Sequence, residues 1–149
     1  MIVKQCKFFC AIFQVSIIPT CTDLHVEVVP VSHEELASNK PVEKSADIRR
    51  RVVLAREIQK ERFQNHIDIF CNAQMTSRMV RQHCTIDEAG QQLLKNAMDR
   101  LGLSARAYDR ILKVARTIAD LDGSTEIETG HLSEAINFRS LDRDNWGRR

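Results

Sequence analysis

The most informative feature of this 149-residue sequence is what it lacks. None of its 5 glycines is followed by lysine, so there is no G-x-x-x-x-G-K-[ST] loop whose backbone N–H groups could cradle nucleotide phosphates. Without that loop the sequence does not encode a self-contained P-loop enzyme. Charge of either sign is nearly balanced at a formal +2, which removes any whole-chain electrostatic case for nucleic acid and leaves only local basic faces to consider. The cysteines Cys6, Cys10, Cys21, Cys71 and Cys84 form no C-x-x-C pair, and an odd number cannot all pair within one chain. They read as reduced thiols of a cytoplasmic protein. No zinc-like ligand spacing occurs. His83-Cys84 are adjacent, a spacing that rarely suits either a metal or a catalytic pair, and they read as a surface histidine beside a buried cysteine. His25, His33, His66 and His131 are scattered and read as surface or capping residues. No metal site is expected.

Long apolar runs are also missing. The run from Phe8 to Ile18 follows Lys4 and Lys7 in the manner of a secretory signal, but it lacks a small-x-small cleavage site and falls short of the roughly 20 residues that span a bilayer. No membrane association is expected. Residues 1–22 read instead as an unrelated or frame-shifted leader, although a small exported helical protein remains a competing reading.

What is present is ordinary globular composition, 43% hydrophobic and 28% charged, organised mostly at helical period. Asp23 to Val31 is the exception. Leu24, Val26 and Val28 alternate with His25 and Glu27, which predicts a strand ended by Pro30. A lone strand has unpaired edges, so this segment reads as the remnant of a domain otherwise missing, and deleting residues 1–31 is expected to improve solubility. The linker around Ser38, Asn39 and Pro41 closes this region at residue 43.

From residue 44 the sequence predicts a five-helix bundle to residue 141, with 142–149 a frayed tail. Ser45 is the expected cap of a helix to about Gln64 carrying Ile48, Val52, Ala55 and Ile58 on one face. Asn65 to Ala73 breaks the pattern, and Thr76 or Ser77 caps a short helix to about His83. Asp87 starts a helix with Leu93, Leu94, Ala97, Met98 and Leu101 that Gly102 ends. Ser104 caps the next, with an apolar stripe from Tyr108 to Leu121 and a turn at Asp122-Gly123. Thr129 is expected to cap a last helix to about Phe138. The fold class is therefore mainly α, a C-terminal helical bundle preceded by a residual β-strand and an irregular N-terminal segment.

Two groups of residues are candidates for function. Arg49, Arg50 and Arg51 crowd the first helix among Asp47, Glu57 and Glu61, and a solvated face laced by ion pairs competes there with contact to DNA phosphates. Arg106 falls in the first turn of the helix that Ser104 caps. A guanidinium beside exposed backbone N–H groups suits a phosphate arriving from another domain or subunit, while an exposed structural arginine is the bland alternative. Ile86-Asp87-Glu88 mimics a magnesium-holding acidic pair, but without an apolar strand before it a helix N-terminus is the better reading.

The stretch GLSARAYDRILKVARTIADLDGSTEIETGHLSEAINFRSLDR resembles the C-terminal helical lid of the magnesium-chelatase-like AAA+ ATPases called ComM or YifB. The likeness extends back through Ser45 and, in Asp23 to Val28, resembles the final core strand before that lid. It implies an AAA+ fold in which ATP and Mg2+ sit between an α/β core and the lid, within a ring, a hexamer in the family. Arg106, by its place in Ser-Ala-Arg, would be the sensor-2 arginine reaching the γ-phosphate. The family's activity would be ATP-driven DNA processing during uptake and recombination of transforming DNA. Where the family has an arginine finger, two residues before the aspartate, this sequence has Cys21, which supplies no permanent charge. A truncated or frame-shifted frame is therefore expected, one that hydrolyses no ATP alone and binds no cofactor tightly. Its expected partners are the AAA+ core, neighbouring subunits and DNA. A non-catalytic helical interaction module docking on DNA or partner ATPase subunits is the alternative.

Overall fold

The computed structural model describes Leu24 and residues 43–139. The strand expected over Asp23 to Val31 lies outside the described residues apart from Leu24, which has no regular structure and packs against the core of the bundle. The leader over residues 1–22 and the tail also lie outside them.

Five α-helices follow among the described residues: α1 Ser45–Arg62, α2 Ser77–His83, α3 Glu88–Leu101, α4 Ala105–Asp122 and α5 Thr129–Asn137, with a 3-10 turn at Asn72–Gln74. Most of their ends are fixed by short-range chemistry. Thr76, Asp87 and Ser104 each accept a hydrogen bond from a first-turn backbone N–H, from Met79, Gly90 and Ala107 respectively. Gly102 and Gly123 close α3 and α4 at φ 60° and 72°, the left-handed conformation that costs glycine nothing.

Two expected caps are displaced by one residue. The residue before α1 is Lys44, which makes no side-chain cap, so Ser45 is the first helical residue rather than the cap. At α5 the cap is Glu128, not Thr129. Its side chain accepts from the His131 backbone while His131 Nδ1 accepts from the Glu128 N–H at 3.1 Å. This reciprocal box satisfies orphan donors at both positions, which a lone threonine hydroxyl does not. His131 is thus a buried capping residue.

Helix α4 is the axis of the bundle. Ile111, Leu112, Val114, Ala115, Ile118 and Ala119 are all buried, so more than one stripe of the helix is covered. It packs against α1, α2, the 3-10 turn and α5, and α3 lies on α5. Phe63, Val80, Leu94, Leu132 and Phe138 complete the core from the surrounding elements. A parallel bridge between Ile86 and Ile127 sets the chain entering α3 beside the chain entering α5. Gly90 allows α3 to sit close: an added Cβ would lie 2.9 Å from Asp87 Oδ1, the atom that caps the helix. No helix among the described residues is long and apolar enough to cross a membrane.

Candidate functional site

Two of the three arginines on helix α4, Arg106 and Arg116, have opposite environments. Arg116 is buried, and with Arg62 and Asp120 it forms an ionic node that closes the C-terminal half of the helix. Asp120, whose side chain is fully buried, accepts two hydrogen bonds from the Arg62 fork, at 2.8 and 2.5 Å, one from Arg116 Nε at 3.1 Å and one from Asn72 Nδ2 at 2.7 Å. The other two Arg116 guanidinium nitrogens donate to the carbonyls of Thr125 (2.8 Å) and Ser124 (2.6 Å) just past the helix end. Asn72 donates its backbone N–H to Gln59 Oε1 and its amide to Thr117 Oγ1 as well. Burying the Asp120 carboxylate and the Arg116 guanidinium is tolerable because both carboxylate oxygens accept and every Arg116 nitrogen donates, and because Arg62 keeps an edge toward solvent. With its acceptors filled, the node has nothing to offer a ligand. Its role is to tie the end of α1, the 3-10 turn and α4 into one piece.

Arg106 sits at the opposite end of α4. It is exposed, lies in the first turn after the Ser104 cap, and makes no hydrogen bond or ion pair among the described residues. The first N–H groups of any α-helix lack intrahelical acceptors, and the macrodipole is positive there. Here the Ser104 hydroxyl satisfies only the Ala107 N–H. A guanidinium and backbone donors of one sign therefore meet at this end of the bundle, the electrostatic environment an oxyanion requires.

The other candidates fare differently. Arg49 is exposed on α1, but Arg50 pairs with Asp47 at 3.1 Å one turn away, and Arg51 pairs with Glu43 and is largely covered. The three do not form one free basic patch. Beside them Val53 and Leu54 lie 44% and 54% exposed in a shallow hollow shared with Arg49, Arg50 and Glu57. Asp87 and Glu88 begin α3 as helix-start carboxylates, Asp87 as the cap. Among the described residues no three His, Cys, Asp or Glu side chains converge in a way that could hold a metal ion. Cys71 and Cys84 are free thiols, and burial pushes Cys84 up to about 12, leaving it protonated and inert. Burial, with the nearby Arg62 and His66 charges, also holds His83 below the usual imidazole range, edge-on to Phe63 at 5.8 Å.

The helical order, the free arginine at the start of α4 and the closed node at its end belong to one continuous segment, and it is over this segment that likeness to known proteins is found. Residues 42–139 match the family described as magnesium chelatase, subunit ChlI, C-terminal. The chain belongs to that family. Within the magnesium-chelatase C-terminal family it is 43% identical over 101 residues to competence protein ComM of Haemophilus influenzae and 45% identical over 103 residues to the uncharacterized protein YifB of Escherichia coli. These alignments cover 68% and 69% of this chain but 19% of each relative. YifB of Salmonella typhimurium is 38% identical over 101 residues, again 19% of its length. The chain thus corresponds to about a fifth of the curated relatives it matches.

The node escaped sequence reasoning. Arg116 and Asp120 are spaced i,i+4, which on a helix usually means a surface pair. The available signal was their phase: Arg116 falls within the run of Val114, Ala115, Ile118 and Ala119 and Asp120 directly follows it, where a charged residue must be either exposed or paired in the core.

Proposed function

We propose that residues 44–139 serve as the helical, nucleotide-sensing lid of a ComM-like AAA+ ATPase, with Arg106 contacting a nucleotide phosphate bound against a separate α/β core. The observation that carries this reading is the contrast on α4: each guanidinium nitrogen of Arg116 is hydrogen-bonded within the fold, whereas Arg106 keeps its guanidinium unengaged beside the helix N-terminus. Its contribution would be electrostatic, stabilising charge on the γ-phosphoryl group and linking the nucleotide state to the angle of the lid. Through ATP and Mg2+ held elsewhere in a ring of subunits, the parent activity would be ATP-driven processing of DNA during competence, the term that appears in the name of the Haemophilus relative.

Titration of a fluorescent ATP analogue against this chain and its Arg106→Ala variant, with a parallel hydrolysis assay, tests the reading. Weak binding that depends on Arg106, without hydrolysis, supports it. Equal binding by both proteins removes Arg106 from the role, and robust hydrolysis by pure chain removes the whole reading.

The exposed Val53 and Leu54 on α1 favour a second reading, a docking module for partner subunits or DNA. An apolar centre rimmed by charge fits a protein partner better than a nucleic acid backbone. Salt-dependent DNA binding abolished by neutralising Arg49, Arg50 and Arg51 would reverse that preference.

A further inference from the structure

The segment from Asn72 to Ser77 runs along α4 in the opposite direction to the helix, and polar bonds fasten it there at successive turns. Asn72 bonds Thr117 and Asp120, Lys113 Nζ donates to the Ala73 carbonyl at 3.0 Å, and Ser77 Oγ donates to Asp109 Oδ2 at 2.5 Å. The last of these bonds falls one turn from Arg106. Positions 106 and 109 stand at i and i+3, so their side chains share a face of α4 and lie within reach of an ion pair. No such pair forms. The Asp109 carboxylate instead engages the hydroxyl at the start of α2. Lys113, the other same-face cation within one turn of Asp109, is committed to Ala73, and Arg110 is adjacent in sequence and not a same-face neighbour.

We infer that Ser77 is a positioning residue for Arg106: by holding the Asp109 carboxylate against α2, it prevents that carboxylate from neutralising the guanidinium and so keeps Arg106 open to phosphate. The inference rests on the phosphate-binding reading of Arg106. Removing the hydroxyl frees a negative charge to swing onto Arg106, where it both occupies the guanidinium and repels an incoming anion. A pair at this spacing changes occupancy by roughly a factor of two at low ionic strength.

The substitution is mild structurally, because α2 is capped by Thr76, not Ser77. Two measurements on the full chain, at low salt, test the inference in Ser77→Ala, Asp109→Asn and the double variant. One is affinity for the fluorescent ATP analogue; the other, independent of any ligand, is the rate at which phenylglyoxal modifies Arg106, followed by peptide mass mapping. Ser77→Ala is expected to lower both about twofold, and Asp109→Asn in the same chain is expected to restore them. In the Asp109→Asn background, Ser77→Ala should change neither. If Ser77 merely supports the fold, the two substitutions would add, and an absence of rescue overturns the inference. Unchanged Arg106 labelling in Ser77→Ala overturns it as well. Failure of the phosphate reading is seen separately, as analogue binding that Arg106→Ala leaves intact, and it takes the ligand part of the inference with it.

Discussion

The two ends of α4 use the same residue type for opposite ends. At the C-terminal end Arg116 is 3% exposed and each of its three guanidinium nitrogens donates a hydrogen bond, one to Asp120 and two to carbonyls. At the N-terminal end Arg106 is exposed and unanswered. A buried guanidinium without acceptors would cost several kcal/mol, so the folded chain must satisfy Arg116; an exposed one is solvated by water and costs nothing to leave free. Burial, not residue type, therefore decides which arginine is structural and which is available to a ligand.

The largest expected effect lies at the node. Asp120→Ala leaves Arg62 and Arg116 facing each other across an empty site and is expected to cost about 3–5 kcal/mol, read as a lower urea midpoint at unchanged slope. Domains of this size are stable by only about 5–15 kcal/mol, so the variant is expected to be largely unfolded at modest urea. A cost below about 1 kcal/mol would mean that the node is not the anchor of the bundle. Gly123→Ala, at φ 72°, tests the same end of α4 through the backbone alone; forcing a Cβ into the left-handed region is expected to cost about 1–2 kcal/mol in the same denaturation experiment.

A smaller effect is expected from pH. His83 packs near the node, and burial followed by the Arg62 charge holds its folded pKa below the ordinary 6.5. The unfolded chain then takes up the proton first as the medium is acidified, so the stability contributed by neutral His83 is present above about pH 6.5 and is lost as pH falls through the folded value. Thermal unfolding between pH 7.5 and 5.5 should show a decline that His83→Asn reduces; an identical decline in both proteins would assign it to other groups. The smallest effect on stability is expected from Arg106→Ala, within about 0.5 kcal/mol of the parent. A large loss of stability there would dissolve the contrast between the two arginines.

Element ends set by neighbours within four residues were legible in the sequence. Asp87, Ser104, Gly102 and Gly123 act as expected because a cap needs only its own first turn or its own φ. Thr129 failed as a cap because the competing pair, Glu128 with His131, satisfies two donors at once, and sequence preference for a hydroxyl does not weigh that reciprocity. The expected cap at Ser45 likewise gave way to uncapped Lys44. The place of Arg106 in the first turn of α4 was legible because it follows directly from the Ser104 cap. Arg50 and Arg51 looked like part of a basic cluster, yet Asp47 and Glu43 occupy them, and the Arg51 partner lies eight residues away, beyond helical spacing.

By itself the sequence determined the mainly helical class, the order of the helices, the place of Arg106 at a helix start and the family to which the chain belongs, since all of these reside in local periodicity, capping and a long run of matching residues. Only the tertiary structure decided which charges are buried. Asp120 meets Arg62 across 58 residues and Asn72 across 48, distances over which no local pattern carries information. The hold of Ser77 on Asp109 is of the same kind, spanning 32 residues. Such partners are chosen when α4 becomes the axis of the bundle, because charged groups brought into a drying core must find acceptors or leave it.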